Sequence, residues 1–443
     1  MFLLTFLLTY IKANPCKKTS ATTMVCTNPE NAIGLEDEDT IPPCDDMITD
    51  IKILSSYRID IKGEGFTKCT SVKNLFFQVN DVLSIEENDF HVKNLETLTI
   101  SGGGALLGTS SFAGSKLKEI NIVPFEDEST KKEIIPSAII NTFAFKGAEG
   151  PMNIKINGSF AKIDLSAFDN CKINLFDIST TQSTDLIEAK NDFSSSIDSL
   201  KITSGPLTIN ALFKSVTIGP IDITAQYVFF GVNSFQSSNV KSIKINVKEN
   251  VGFSEGSFKG LENFESLEIE GSPTIISFDQ NSFESNGLKE LKLESSILIL
   301  FQKSSFQSSK LKSLNLKSES IGAYERAFFE CFDLESATIE SKKIQFREEA
   351  FACNNFKAGE GLNSKGEELL NHECYMGCGT KCSDGTISDT PNSGGDGGKK
   401  KGLSTGVIVA IVVVCVVVVA AVIVTVILVL KKKNKIGNES ASP

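Results

Sequence analysis

A histidine and three cysteines lie close together near residue 375, and these residue types could bind a metal. The stretch HECYMGCGTKC contains His372, Cys374, Cys378 and Cys382. Imidazole and thiolate groups are the usual ligands of Zn²⁺, but the spacing here does not match a usual zinc pattern. Disulfide bonds are the alternative use of the same cysteines, and we favour them because other features indicate a secreted segment.

The chain has eleven cysteines, and most of them lie near its two ends. Each terminal set has an odd number, so one cysteine from the middle of the chain is needed to complete each set. The pairing itself is not readable from the sequence. We predict that two sets form disulfides: Cys16, Cys26 and Cys44 with Cys69, and Cys374, Cys378 and Cys382 with Cys353. We interpret the remaining three as packed thiols: Cys171, Cys331 and Cys415.

No catalytic arrangement is evident. The chain has two histidines, His91 and His372, and contains neither a nucleophile-elbow motif nor a phosphate-binding loop. The acidic runs GLEDEDT (34–40) and FEDEST (125–130) lack the spacing of a calcium loop and read as solvated loops. We therefore predict a protein that is not an enzyme and that needs no metal or cofactor.

A repeat of about 23 residues runs through most of the chain. In SSFQSSKLKSLNLKS, apolar residues occur at Phe306, Leu311, Leu314 and Leu316, with gaps of five, three and two. Similar spacing recurs after thirteen phenylalanines, at positions 66, 90, 112, 145, 168, 193, 213, 235, 258, 283, 306, 328 and 351. The longest interval, from Phe112 to Phe145, indicates an insertion, and insertions in solenoids often form binding loops.

The spacing predicts one turn of a coil. Leu314 and Leu316 alternate as in a strand, so both point inward while Asn315 points outward. Phe306 packs the far side of the coil, and successive turns stack as parallel strands about 4.8 Å apart. The outward positions of this strand give the candidate binding face: Lys201, Lys244, Glu268, Lys292 and Asn315. Alternatively, neighbouring opposite charges serve stacking and contribute about 0.2–1 kcal/mol per pair.

The stretch AFFECFDLESATI (327–339) resembles the unit A-F-x-x-C-x-x-L-x-x-I-x-I of BspA-like leucine-rich repeats, and the resemblance covers residues 53 to 360. It implies a leucine-rich repeat solenoid of parallel β-strands with turn or loop returns, with about 13 repeats of ~23 residues and disulfide-rich caps. Members of this family are typically surface proteins of mucosal bacteria and parasitic protists. The resemblance therefore implies adhesion to host matrix or cells.

Two apolar segments indicate export and membrane anchoring. Residues 1–13, MFLLTFLLTYIKA, are too short to span a bilayer and predict a signal peptide, with a buried N-terminal strand as the alternative. Residues 406–430 contain no charge and predict a transmembrane helix followed by lysines. The predicted organisation is a signal peptide (1–13), a cysteine-containing cap (14–52), repeats (53–360), a cysteine-rich cap (361–382), a flexible stalk (383–405), a transmembrane helix (406–430) and a cytoplasmic tail (431–443).

Charge limits the class of partner. The net charge is −11, and seven of the 44 basic residues but only one of the 55 acidic residues lie from Lys399 onward. An acidic ectodomain argues against nucleic acid. We predict a single-pass plasma-membrane glycoprotein, with Asn157 as its glycosylation acceptor, that binds an extracellular protein or host cell-surface ligand. The alternatives are a ligand-sensing receptor that acts through an associated protein, and a structural coat antigen.

Overall fold

Strands with alternating apolar residues stack in parallel, one turn of the chain above the next. The computed structural model describes residues 16–28, 33–35, 44–61, 66, 69–85, 92–127, 130–187, 194–210, 212–213, 216–347, 349–352 and 385–388. These residues form a parallel β-solenoid of about 12 turns, with almost no helix. The solenoid and its stacked parallel strands confirm the fold expected from the repeat.

The part of each repeat that ends in L-x-L forms one side of the coil, which we call the first ladder. Leu314 and Leu316 are buried and Asn315 is exposed, as the spacing predicts. Asn315 pairs in register with Lys292 on one side and with Thr338 on the other. Six strands belong to this ladder alone: Thr23–Asn28, Asp50–Ser55, Glu119–Val123, Ser242–Val247, Ser266–Glu270 and Glu290–Glu294.

The expectation of turn or loop returns is wrong for the next side of the coil, which is a second ladder of parallel strands. In the short strand Ile275–Phe278, Ile276 and Phe278 point inward, and Phe278 pairs in register with Phe253 and Phe301. The other strands of this ladder alone are Ile33–Leu35, Ile59–Ile61, Ser137–Ile140, Asn250–Phe253 and Leu298–Phe301. Eight long strands run through both ladders: Asn74–Ile85, Thr97–Leu107, Pro151–Asp164, Lys172–Ile187, Leu200–Ile209, Ile221–Phe230, Ser313–Ala323 and Ser336–Phe346.

A few short elements complete the coil. A 3₁₀ helix, Leu165–Phe168, begins after Asp164, whose carboxylate accepts a hydrogen bond from the Ser166 amide. Three two-residue strands precede the first ladder in consecutive turns: Ser196–Ile197, Thr217–Ile218 and Asn239–Val240.

Phenylalanine rings fill the core in two columns. The leading phenylalanines stack almost face to face, from Phe213 through Phe235 and on to Phe351, with ring centroids 4.5–5.4 Å apart. The second ladder adds a parallel column, in which Phe253 and Phe278 stack at 4.8 Å. The columns meet edge to face, as where Phe278 meets Phe283 at 5.5 Å and 73°. Both geometries suit the quadrupoles of aromatic rings.

In most described turns the residue before the leading phenylalanine is small and buried, and Leu212, before Phe213, is an exception. Four turns carry a serine whose hydroxyl is buried and has no hydrogen-bond partner: Ser234, Ser257, Ser282 and Ser305. Four other turns carry a buried alanine at the same place: Ala144, Ala167, Ala327 and Ala350. The backbone accepts either residue, but the serine hydroxyl loses its contacts with water.

The insertion between Phe112 and Phe145 forms a hairpin at the corner between the two ladders. Its strands are Phe125–Asp127 and Lys132–Ile134, paired antiparallel. The chain then returns to the second ladder, and the rings of Phe112 and Phe145 still stack at 5.4 Å. The insertion therefore leaves the core register unchanged.

The solenoid extends beyond the repeats at both ends. The first ladder begins with Thr23–Asn28, inside the segment expected to be a cap, and Cys16–Lys18 pairs antiparallel with this strand. At the other end, Gly385–Ser388, expected in a flexible stalk, forms a strand antiparallel to Lys343–Phe346. In the described part of the chain no helix is long and apolar enough to cross a membrane. The predicted signal peptide and transmembrane helix lie outside the described residues.

We expect Phe283→Ala to lower the free energy of unfolding by about 3–5 kcal/mol, because it removes a ring that stacks on both neighbouring turns. The matched control is Phe229→Ala, an outward ring of the second ladder that is 43% exposed, where we expect a loss of at most about 1 kcal/mol. Urea denaturation of the two variants makes the comparison, and equal losses would contradict the inward column.

Ser282→Ala should raise the free energy of unfolding by about 1 kcal/mol, because the substitution removes a buried hydroxyl without a partner. The reciprocal change, Ala327→Ser, should lower it by a similar amount. Denaturation midpoints of both variants provide the measurement. A destabilised Ser282→Ala variant would show that the hydroxyl makes a bond that the fold needs.

Candidate interaction surfaces

The strands of the first ladder place the predicted binding residues on one outward face. All five are exposed, and each lies between two buried residues of its strand except Glu268, whose neighbour Ile269 is partly buried: Lys201, Lys244, Glu268, Lys292 and Asn315. Because neighbouring strands are in register, these side chains form a row that runs along the solenoid. The row lies on hydrogen-bonded backbone, so its geometry is fixed before any partner arrives.

Some charges in this row already have partners within the chain. Lys244 donates a hydrogen bond to Glu270 at 2.8 Å and lies 3.6 Å from Glu268. The bond to Glu270 raises the pKa of Lys244. Lys317 similarly pairs with Glu294 across adjacent strands at 2.7 Å. Such exposed pairs contribute little to stability, but they hold the side chains against their own ladder.

Other members of the row have no such partner. Within the described ranges, no ion pair involves Lys201 or Lys292. Lys201 lies in register between Asp177 and Asp222, which places a cation between two carboxylates on consecutive turns. The first ladder therefore presents alternating charges that remain available to a partner.

The second ladder has an outward face of a different kind, which the sequence analysis did not anticipate. Its outward positions carry no charge over six consecutive turns, and all of these residues except the buried Gly322 are at least partly exposed. We call this surface the uncharged strip, and it consists of Pro206, Thr208, Tyr227, Phe229, Asn250, Gly252, Ile275, Ser277, Leu298, Leu300, Ser320 and Gly322. In the sequence, the strip could have been found from the uncharged residues at alternate positions just before each inward aromatic residue.

The N-terminal cysteines form two disulfides, Cys16–Cys26 and Cys44–Cys69. Cys16 and Cys26 are register partners on antiparallel strands, and Cys69 lies three residues after a leading phenylalanine. These bonds tie the first turns of the solenoid together. The second predicted set lies outside the described residues: Cys353, Cys374, Cys378 and Cys382.

Cys171 and Cys331 are buried thiols at equivalent positions of their repeats. Each sulfur donates to the carbonyl of the leading phenylalanine one turn earlier, Cys171 to Phe145 and Cys331 to Phe306, both at 3.1 Å. Burial raises the pKa of each thiol to about 11. Neutral, buried and hydrogen-bonded thiols act as small core residues rather than as nucleophiles.

The remaining predicted site residues that the structure describes do not come together in a further cluster. Asn157 is half-buried in the long strand Pro151–Asp164, where it pairs in register with Ser179 on the first ladder. His91 and His372 lie outside the described residues. Within the described ranges, no group of three or more His, Cys, Asp or Glu side chains is placed to hold a metal ion.

Comparison with known proteins identifies the repeat. A family model described as "BspA type Leucine rich repeat region" matches residues 44–128, 123–241 and 228–357, with 6 copies. The matched ranges contain most of the two-ladder coil described above and cover well over half of the chain. No curated protein and no solved structure matches the chain at a significant level.

The burial of Cys171 and Cys331 predicts that alkylating reagents will not label them at pH 8 in the folded chain, because the pKa of each thiol is about 11. Both should react after unfolding in denaturant. Mass spectrometry of the two cysteine-containing peptides distinguishes the states. Rapid labelling of either peptide in the folded chain would contradict a scaffold role for that thiol.

Proposed function

Because the chain belongs to the BspA-type leucine-rich repeat family, we propose that it is a cell-surface protein that binds an extracellular partner. The partner is a host matrix protein or a cell-surface protein, and the contact serves adhesion. The predicted signal peptide and the apolar segment 406–430 place the solenoid outside a plasma membrane in this proposal. The family and its scaffold support a binding role, since solenoids of this kind typically offer extended surfaces.

The observation that carries the proposal is that two exposed lysines of the row, Lys201 and Lys292, form no ion pair within the described ranges. Register fixes the backbone at Lys201 and Lys292 on paired strands. Binding therefore orders only the two side chains, at a cost of about 0.5–1.5 kcal/mol each. Nothing in the packing of the core requires these outward side chains, because the inward residues alone form the phenylalanine columns.

The alternation of charge suggests the chemistry of the partner. Lys201 lies between Asp177 and Asp222, and Lys292 pairs in register with Asn315. A complementary surface carries both signs at a similar spacing. Complementary charges of this kind mainly increase association rate and specificity, and salt weakens them. A folded protein surface fits this pattern better than a uniformly charged polymer.

We expect the double variant Lys201→Glu/Lys292→Glu to reduce adhesion of cells that display the full chain by about tenfold or more, because both changes reverse a charge at the contact. The measurement is attachment to immobilised matrix proteins and to host cells at low and physiological salt. Surface staining without permeabilisation verifies equal display of the variants.

The matched control is the double variant Lys162→Glu/Lys343→Glu, which makes the same total charge change at two outward positions on the second ladder. Its attachment should equal that of the natural chain. Equal losses in the control and the first-ladder variant would indicate an effect of net charge. Undiminished attachment of the first-ladder variant would exclude the first ladder as the contact surface.

A further inference from the structure

The uncharged strip combines apolar side chains with small polar ones, and the fold itself does not require its apolar members. Only the inward residues of the second ladder contribute to the phenylalanine column, so the outward positions are free to be polar. Yet Phe229 is 43% exposed, and Ile297, directly beside Leu298, is 50% exposed. The largest apolar patch on a protein surface is often functional, so these side chains mark a candidate contact.

On the same turns, the outward face of the first ladder is charged, in contrast to the uncharged strip. The first ladder carries eight charged outward residues over these turns, Lys201, Asp222, Lys244, Glu268, Glu270, Lys292, Glu294 and Lys317. Both faces belong to one continuous coil and share the same strands at several turns, such as Ile221–Phe230. The difference therefore belongs to the side chains and not to the backbone.

The uncharged strip is also a flat sheet face. Gly252 lies in register with Phe229, and a Cβ atom added to Gly252 would lie 3.1 Å from the Phe229 ring. Gly322 lies likewise beside Leu300, whose Cδ1 would be 2.9 Å from an added Cβ. The large side chains therefore lie across the glycines of the next turn. A level sheet face suits another sheet, since paired sheets pack face to face about 10 Å apart.

We propose that the uncharged strip joins two copies of this chain face to face. A two-fold contact places the same patch on both sides, so the patch must be complementary to itself. The chain carries a net charge of −11, so most contacts between copies oppose like charges. The strip avoids this repulsion because none of its residues is charged.

The size of the strip predicts a weak dimer. Six strands about 4.8 Å apart and four residues of about 3.3 Å give a face of roughly 29 by 13 Å. With the flanking side chains of Ile297 and Tyr324, each copy would bury about 500 Å², or about 1,000 Å² in total. This is the lower limit for a specific interface, so we expect reversible association with a Kd of about 1–100 μM.

Sedimentation velocity of the purified full chain in neutral detergent, over about 1–100 μM, tests the proposal. The variants are Phe229→Glu and Leu300→Glu, each of which places a carboxylate within the proposed contact. The matched control is Thr224→Glu, an exposed residue of the same strand as Phe229 but on the first ladder. The natural chain and the control should dimerise alike, and both strip variants should raise the Kd by more than tenfold.

A second measurement does not depend on the stability of these variants. Ser277→Cys places a thiol near the middle of the strip, and mild oxidation should link two chains. Thr224→Cys should give no more linked dimer than the natural chain. The proposal is overturned if the natural chain is monomeric throughout the concentration range, even if the strip then binds another protein. It is also overturned if dimers persist in Phe229→Glu and Ser277→Cys does not cross-link.

Discussion

The stacking of phenylalanine rings at the spacing of the strands is the interaction on which this solenoid depends. Each turn from Phe213 to Phe351 contributes a leading ring in the same register, and backbone pairing fixes the distance between turns. Phe258, Phe283 and Phe306 therefore stack at 4.8 and 4.9 Å, close to the spacing of paired strands. The second column meets the first edge to face. Each turn supplies the surface on which the next turn packs, so stability is a sum over neighbours.

In this arrangement the inward residues form the scaffold, and the outward residues are left for binding. The inward residues complete the core, and the outward residues of two ladders remain free to differ. One face carries charges such as Lys201 and Lys292, while the other carries apolar residues such as Phe229 and Leu300. The proposals assign these faces separate tasks: a partner of mixed charge contacts the first ladder, and a second copy contacts the uncharged strip. A change on one outward face need not disturb the other, because the core lies between them.

The sequence predicts one ladder well and the other poorly, for a physical reason. In the first ladder, polar outward residues such as Asn315 alternate with leucines, so the period of two is visible. In the second ladder several outward residues, such as Leu298 and Leu300, are themselves apolar, and the segment SILILF (296–301) reads as one continuous run. The apolar outward residues that hide the alternation of this strand also form part of the uncharged strip. The cysteine pairing was unpredictable for another reason: Cys16 meets Cys26 only through an antiparallel pair that the repeat does not contain.

A double-mutant cycle on neighbouring rings tests the central claim most directly, because it isolates the contact between two turns. For Phe283 and Phe306, whose centroids are 4.9 Å apart, truncation of each ring and of both should reveal a coupling of about 0.5–1.5 kcal/mol. Phe235 and Phe306 belong to the same column but do not touch, so their effects should add. Additive effects for the adjacent pair would contradict a core built from stacked rings.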